Sequence, residues 1–281
     1  MPSSPTVSAL VTRKERVYYA IIVLIGLAVY GGIIAGVARV AQPGPIGGAL
    51  IAYVGFFALI YLIGHGLLIG YLRGNGIYVS ERQFPKVLEM ARRHCAAIGL
   101  EDVPDLLVVQ SGGVLNAFAT RFVGRDFVVI YSDVLALAEQ RGESAVSFVV
   151  AHELGHVRRG HLRWRWLTLP GRLVPFLGSA YSRACEYTCD RIGAQCQPDG
   201  AVDGLLVLAA GKELYQHVDA REYVNQIQTQ TGFWVDFAEI LASHPNLPKR
   251  IAALLPRGVP VPSYSPMQGV GVGARPAGTP S

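Results

Sequence analysis

Phe148-Val149-Val150-Ala151-His152-Glu153-Leu154-Gly155-His156 sets two histidines four residues apart at the end of an uncharged run. On a helix, residues four apart share a face, so the two imidazoles can present nitrogens to one ion. Glu153 precedes His156 by three residues. It can take a proton from a water at the metal without itself being a ligand, which is the physical content of the H-E-x-x-H pattern. A chance match in a chain of this length is roughly a one-per-cent event, and the context adds to it. The apolar residues before His152 predict a buried helix over 144–162, where two histidines and a glutamate without partners would cost several kcal/mol.

A catalytic metal needs a third protein ligand from another element and an open position for water. The next helical stretch, 183–195, offers Glu186, with Asp190 one turn later on the same face. The first carboxylate reaches the metal; the second accepts a proton from the far nitrogen of a ligand histidine, here assigned to His152, and fixes its tautomer. Cys185 and Cys189 compete for the ligand role, since thiolates bind zinc well. They point to a neighbouring face, two thiolates would close the site to water, and small buried side chains are the plainer account. His161 lies off the ligand face and reads as an exposed or capping histidine.

Outward from this centre, composition changes the class of protein. Of 281 residues, 51% are hydrophobic and only 16% charged, too apolar for an ordinary soluble domain. Residues 17–38 and 46–71 carry no charge, and each is long enough to cross a hydrocarbon core of roughly 30 Å. Gln42-Pro43-Gly44-Pro45 between them is a turn composition, so the two form a hairpin. The first span is too long for a cleaved signal peptide, and a cut after Ala41 would put Arg39 at a small-residue position. Arg13, Lys14 and Arg16 precede the hairpin and Arg73, Arg82 and Lys86 follow it, which places both termini on the cytoplasmic side. The net charge of +5 is accounted for by these flanks rather than by nucleic acid. Gly32/Gly36 and Gly66/Gly70 are small-xxx-small pairs. They fall at opposite depths of the hairpin, leaving association into a homo-oligomer beside the plain frequency of glycine in membrane helices. Four cysteines, unevenly placed, do not form a secreted disulfide framework.

The expected organisation is an N-terminal cytoplasmic tail over 1–16, a transmembrane hairpin over 17–71, a metallopeptidase domain over 72–256 and a disordered Pro/Gly-rich tail over 257–281. Within the domain, strands are predicted at 106–110, 115–122 and 127–132, the last two joined by a hairpin at Val123-Gly124-Arg125. The fold class is α+β: mostly helical, with a small antiparallel sheet. Arg163, Arg165, Pro170 and Arg172 interrupt the apolar stretch after the histidine helix, so it cannot span a bilayer. With Trp164, Trp166, Leu167 and Leu169 it reads as a segment at the headgroup level, the rival being a helix paired with the hairpin.

Four segments in order resemble those of the membrane zinc metalloendopeptidases that include HtpX and the type 1 CAAX prenyl protease. They are Asn116-Ala117-Phe118-Ala119, His152 to His156, Glu186 to Arg191, and His244-Pro245 with Arg250-Ile251. The resemblance covers about 82–255 and implies a zincin-like domain with one Zn2+ held by His152, His156 and Glu186. It further implies that Glu153 is the general base and Asp190 an outer carboxylate, and that Asn116 to Ala119 form an edge strand that pairs with substrate backbone. His244 and Arg250 come near the site, to steady an oxyanion or to lock Glu186 and Asp190. One departure is that HtpX-like members carry two more membrane helices between the zinc helix and the glutamate helix; here about thirty residues separate them.

The function expected is hydrolysis of peptide bonds in unfolded or membrane-proximal polypeptide, as proteolytic quality control at the cell membrane. The partners are polypeptide substrate and membrane lipid, not nucleic acid. The rivals are a regulatory protease with one dedicated substrate, against which the short outer loop leaves no sensor, and a zinc-held scaffold or chaperone, for which Glu153 has no use.

Overall fold

The computed structural model describes residues 6–40, 45–110, 112, 116–262 and 264. The connecting turn at 41–44, the start of the second predicted strand at 115 and the tail beyond 264 lie outside the described residues. The chain opens with a short helix α1 (Val7–Leu10) and two long ones, α2 (Arg13–Val40) and α3 (Pro45–Asn75). Both are long and apolar enough to cross a membrane, over Arg13–Gly36 and Ile51–Asn75. Then come β1 (Ile77–Tyr78), α4 (Pro85–Ile98), β2 (Asp105–Val109), β3 (Ala117–Phe122) and β4 (Arg125–Tyr131). The remainder is helical: α5 (Ser132–Arg141), α6 (Ser144–Arg158), α7 (Arg165–Arg172), α8 (Leu177–Cys196), α9 (Ala201–Leu214), α10 (Ala220–Thr229), α11 (Phe233–Leu241) and α12 (Leu247–Leu254).

Mostly helical with a small sheet is the architecture expected, but the sheet is mixed rather than antiparallel. Its order is β1-β2-β4-β3, with β4 parallel to β2 and antiparallel to β3. The chain passes over one place after β2, so the hairpin returns β4 to the centre and leaves β3 on the edge. Phe127-Val128-Val129-Ile130 already carries the reason, because an unalternating apolar run is what a strand covered on both faces needs. Val128 and Ile130 face the helical core, while Phe127 and Val129 meet Ile69 and Leu72 of α3. The β3–β4 turn is Val123-Gly124, both at positive φ (44° and 83°), the geometry whose twist matches a tight hairpin.

The hairpin is therefore built into the domain as well as attached to it. At about 1.5 Å per residue, α2 is longer than a bilayer core, and one side of its first half packs on the domain. Glu15 and Ile22 are buried there, as are Leu10, Val11 and Thr12 just before it; the Thr12 amide donates to Thr188 Oγ1 of α8 at 3.1 Å. The first residues, read as a tail from sequence, thus pack on α8. His65, in the second apolar stretch, lies 3.0 Å from the Arg121 carbonyl and between the rings of Tyr61 and Phe122.

The segment after α6 packs against the first helix of the hairpin through α7. Gly26 of α2 and Gly171 of α7 make the contact: a Cβ on Gly26 would sit 2.1 Å from the Leu167 carbonyl oxygen, and one on Gly171 2.6 Å from that of Ile22. The Tyr30 hydroxyl donates to the Trp166 carbonyl at 2.6 Å, and the Trp166 ring meets Tyr61 edge-on. Two glycines in opposed helices, not an apolar periodicity, decide this packing.

In the core, α6 is gripped on two sides through Phe148, whose ring fills the space that side chains on Gly193 of α8 and Gly204 of α9 would take. That contact fixes the rotation of α6 and turns its histidine face toward α8. On the opposite flank, His94 of α4 is 1% exposed, with Nε2 2.8 Å from Ser147 Oγ. Burial, aided by Arg93, pushes its pKa down to about 4. The unfolded chain titrates near 6.5, so between those values it binds more protons than the folded chain, and stability falls as pH falls. The urea midpoint of the detergent-solubilised protein is expected to drop between pH 6.5 and 4.5, by on the order of 1–3 kcal/mol in stability. The slope is expected to flatten in His94→Gln; parallel profiles would contradict this.

Candidate active site

α6 is apolar up to its last two turns, and the buried surface it presents there is the H-E-x-x-H segment: His152 and Glu153 are 6% and 8% exposed. α8 lies across it and supplies two carboxylates one turn apart, Glu186 and Asp190, at 6% and 1%. His152 Nε2 lies 3.5 Å from Glu186 Oε2, and His156 Nε2 lies 3.3 Å from Glu186 Oε1. Ligand atoms of His152, His156 and Glu186 all fall within 4.8 Å of one another. Two imidazoles and one carboxylate converging on a buried point match the donor set of an open zinc site, so these residues fit the ion that the sequence implies.

Behind the histidines stand further polar groups. His152 Nδ1 is 3.0 Å from Asp190 Oδ1 without an aligned hydrogen bond, and it has no other partner among the described residues. Arg250, from α12, donates from Nε to Asp190 Oδ2 at 2.8 Å and from Nη2 to Oδ1 at 2.6 Å, while Nη1 is 3.2 Å from Glu186 Oε2. Arg250 thus contacts both carboxylates. Burial alone would raise both acids; the Arg250 charge and the neighbouring histidines outweigh it, holding Glu186 well below the usual carboxylate range and lowering Asp190. Burial likewise opposes a charge on His152, but the Asp190 and Glu186 carboxylates beside it lift it to about 10.

The surroundings form a cavity of about 240 Å³. Its lining includes Asn116 to Ala119 from the β3 edge, Glu153, His244 and Arg250. β3 has β4 as its one neighbour in the described sheet, so its other side faces the cavity. His244, on the loop before α12, is largely exposed; its Nε2 is 3.6 Å from Glu186 Oε1 and its Nδ1 is 2.9 Å from Ser243 Oγ. All four segments singled out in the sequence thus border one space. Cys185 and Cys189 do not line it. Cys189 is packed on Gly155, and burial pushes both thiols up.

Sequence reasoning missed what lies beyond His156. His161 is not exposed: it folds back on the turn after α6, where Gly160 takes φ 66°, and its side chain is only 7% exposed. Its Nδ1 is 3.0 Å from His156 Nδ1 and its Nε2 3.1 Å from Glu15 Oε1. Arg159 donates to the same Glu15 oxygen from Nε and Nη2. The one available signal was Glu15, an acid set among Arg13, Lys14 and Arg16 at the foot of an apolar helix.

A relative from Arabidopsis thaliana, the plastoglobule-localized metallopeptidase 48 of the chloroplast, is 30% identical over 157 residues, 49% of this chain and 44% of its own length. The chain thus spans less than half of the curated relative it matches. The crystal structure of S. mikatae Ste24p aligns over 87% of this chain and 67% of its own, with a TM-score of 0.45 and 14% identity. The model of peptidase family M48 matches residues 81–170 and 167–257, two stretches that meet in α7 and together take in every segment of the site. The chain belongs to peptidase family M48.

Proposed function

We propose that this protein is a membrane-anchored zinc metalloendopeptidase that cleaves unfolded or membrane-proximal polypeptide. One zinc is held by His152, His156 and Glu186, Glu153 is the general base, and α2 and α3 anchor the domain with the domain and both termini cytoplasmic. The observation that carries the reading is the convergence of the four segments on one cavity of about 240 Å³. When bound, zinc supplies a Lewis acid at the scissile carbonyl and acidifies water for attack. Glu153, buried on the helix turn between the two histidines, takes the proton of the attacking water and hands it to the leaving amine. The β3 edge at Asn116 to Ala119 binds the substrate as an added strand, reading backbone more than side chain. His244, with Nε2 turned to the site, donates toward the oxyanion, while Arg250 keeps Glu186 and Asp190 in place.

Backbone reading gives loose sequence preference, and selectivity then comes from access, which supports a role in proteolytic quality control. The full chain in detergent is expected to cleave unfolded casein but not a compact folded control. A chelator should abolish cleavage and zinc restore it. A zinc-loaded protein that cuts neither casein nor unfolded membrane proteins would instead be a zinc-held scaffold.

A further inference from the structure

We infer that Glu15 and His161 are positioning residues for His156, so that the foot of the first membrane helix is part of the metal site. The inference rests on His156 being a metal ligand as proposed above. With His156 a ligand through Nε2, the contacts leave one consistent assignment of protons. The Glu15 carboxylate accepts, so His161 carries its hydrogen on Nε2, 3.1 Å from Glu15 Oε1. Its Nδ1 is then a lone pair, and at 3.0 Å it accepts from His156 Nδ1–H. That leaves the His156 Nε2 lone pair free for an ion shared with Glu186, whose Oε1 is 3.3 Å away. A ligand histidine is held in this way when its far nitrogen has a fixed partner, and Asp190 is placed to do the same for His152.

The chain of contacts is closed to water. Glu15 is 2% exposed and the His161 side chain 7%. Arg159 donates twice to the Glu15 oxygen that receives His161, and Thr12 Oγ1 accepts the Glu15 amide at 3.2 Å. Glu15, His161 and Cys185 also lie close enough to hold an ion of their own, as do His156, His161 and Cys189. The Arg159 guanidinium, 2.8 Å from the carboxylate, already occupies the cation's place and favours the positioning role. The hairpin is then more than an anchor: residues 146 positions apart in sequence, Glu15 and His161, orient one ligand from the helix it stands on.

The test is zinc affinity of the full chain in detergent, by competition with a fluorescent chelator. His161→Leu removes both contacts and is expected to weaken zinc binding about 10–100-fold. His161→Gln keeps an acceptor toward His156 and a donor toward Glu15, and should recover most of that loss. Glu15→Gln should weaken binding in the wild-type background and add little in His161→Leu. Unchanged affinity in His161→Leu, equal losses in the Leu and Gln variants, or additive losses would overturn the inference. So would two zinc ions per wild-type chain with one lost in Glu15→Gln, which would make the cluster a second metal site. A wild-type chain that binds no zinc would instead defeat the proposed function.

Discussion

Glu153→Gln is expected to slow casein cleavage on the order of 10²–10⁴-fold while the protein keeps its zinc. The two effects separate because Glu153 belongs to none of the three groups of converging candidate ligand atoms among the described residues, of which His152, His156 and Glu186 is the one at the cavity. Glutamine has nearly the volume of glutamate and can fill the same wall of the cavity. It cannot take a proton from water, so the attacking group is not generated and the leaving amine is not protonated. Loss of zinc together with activity would place Glu153 among the ligands. Activity retained within a factor of a few would remove it from the mechanism.

Arg250→Leu is expected to destabilise the metal-free chain by about 3–5 kcal/mol, because it strands two buried carboxylates. Arg250 is 4% exposed and makes two hydrogen bonds to Asp190 and an ion pair to Glu186. Removing one partner of such a group costs more than the group contributes intact, since the two buried carboxylates are left to share the charge of His152 with no water to replace the guanidinium. The loss should be smaller with zinc present, which gives Glu186 a second cation. Urea unfolding of the detergent-solubilised variant, with and without zinc, reads both quantities. A metal-free loss below about 1 kcal/mol would mean that water reaches these carboxylates.

Much of this site was legible because the decisive relations are local. His152 and His156 share a helical face by spacing alone, and Glu186 and Asp190 repeat the argument on α8. The unread part is relations between distant segments. The parallel pairing of β2 with β4 depends on where the chain goes between Val109 and Ala117, and no periodicity reports that. The seating of α7 on α2 depends on Gly26 and Gly171, two of 32 glycines. His161 was read as exposed because its position relative to the ligand face was extrapolated along a continuous helix. The helix ends at Arg158, and the turn at Gly160 brings the side chain back under His156, where Glu15 meets it.

The two long apolar helices had the same dual reading. Their composition marks them as candidate spans, and nothing in composition separates the exposed part of α2 from the part that carries Glu15 and Ile22 into the domain. Ile69 and Leu72 of α3 likewise form one wall of the sheet's second face. Cutting the chain at residue 72 to obtain a soluble domain would expose that wall and is expected to yield an aggregating protein.

The measurement that tests the central claim most directly is zinc X-ray absorption on the purified full chain, with metal content determined on the same sample. The account predicts one zinc per chain and a first shell of nitrogen and oxygen alone, at about 2.0–2.2 Å. A sulfur scatterer near 2.3 Å would bring Cys185 or Cys189 into the site and contradict the assignment of Glu186.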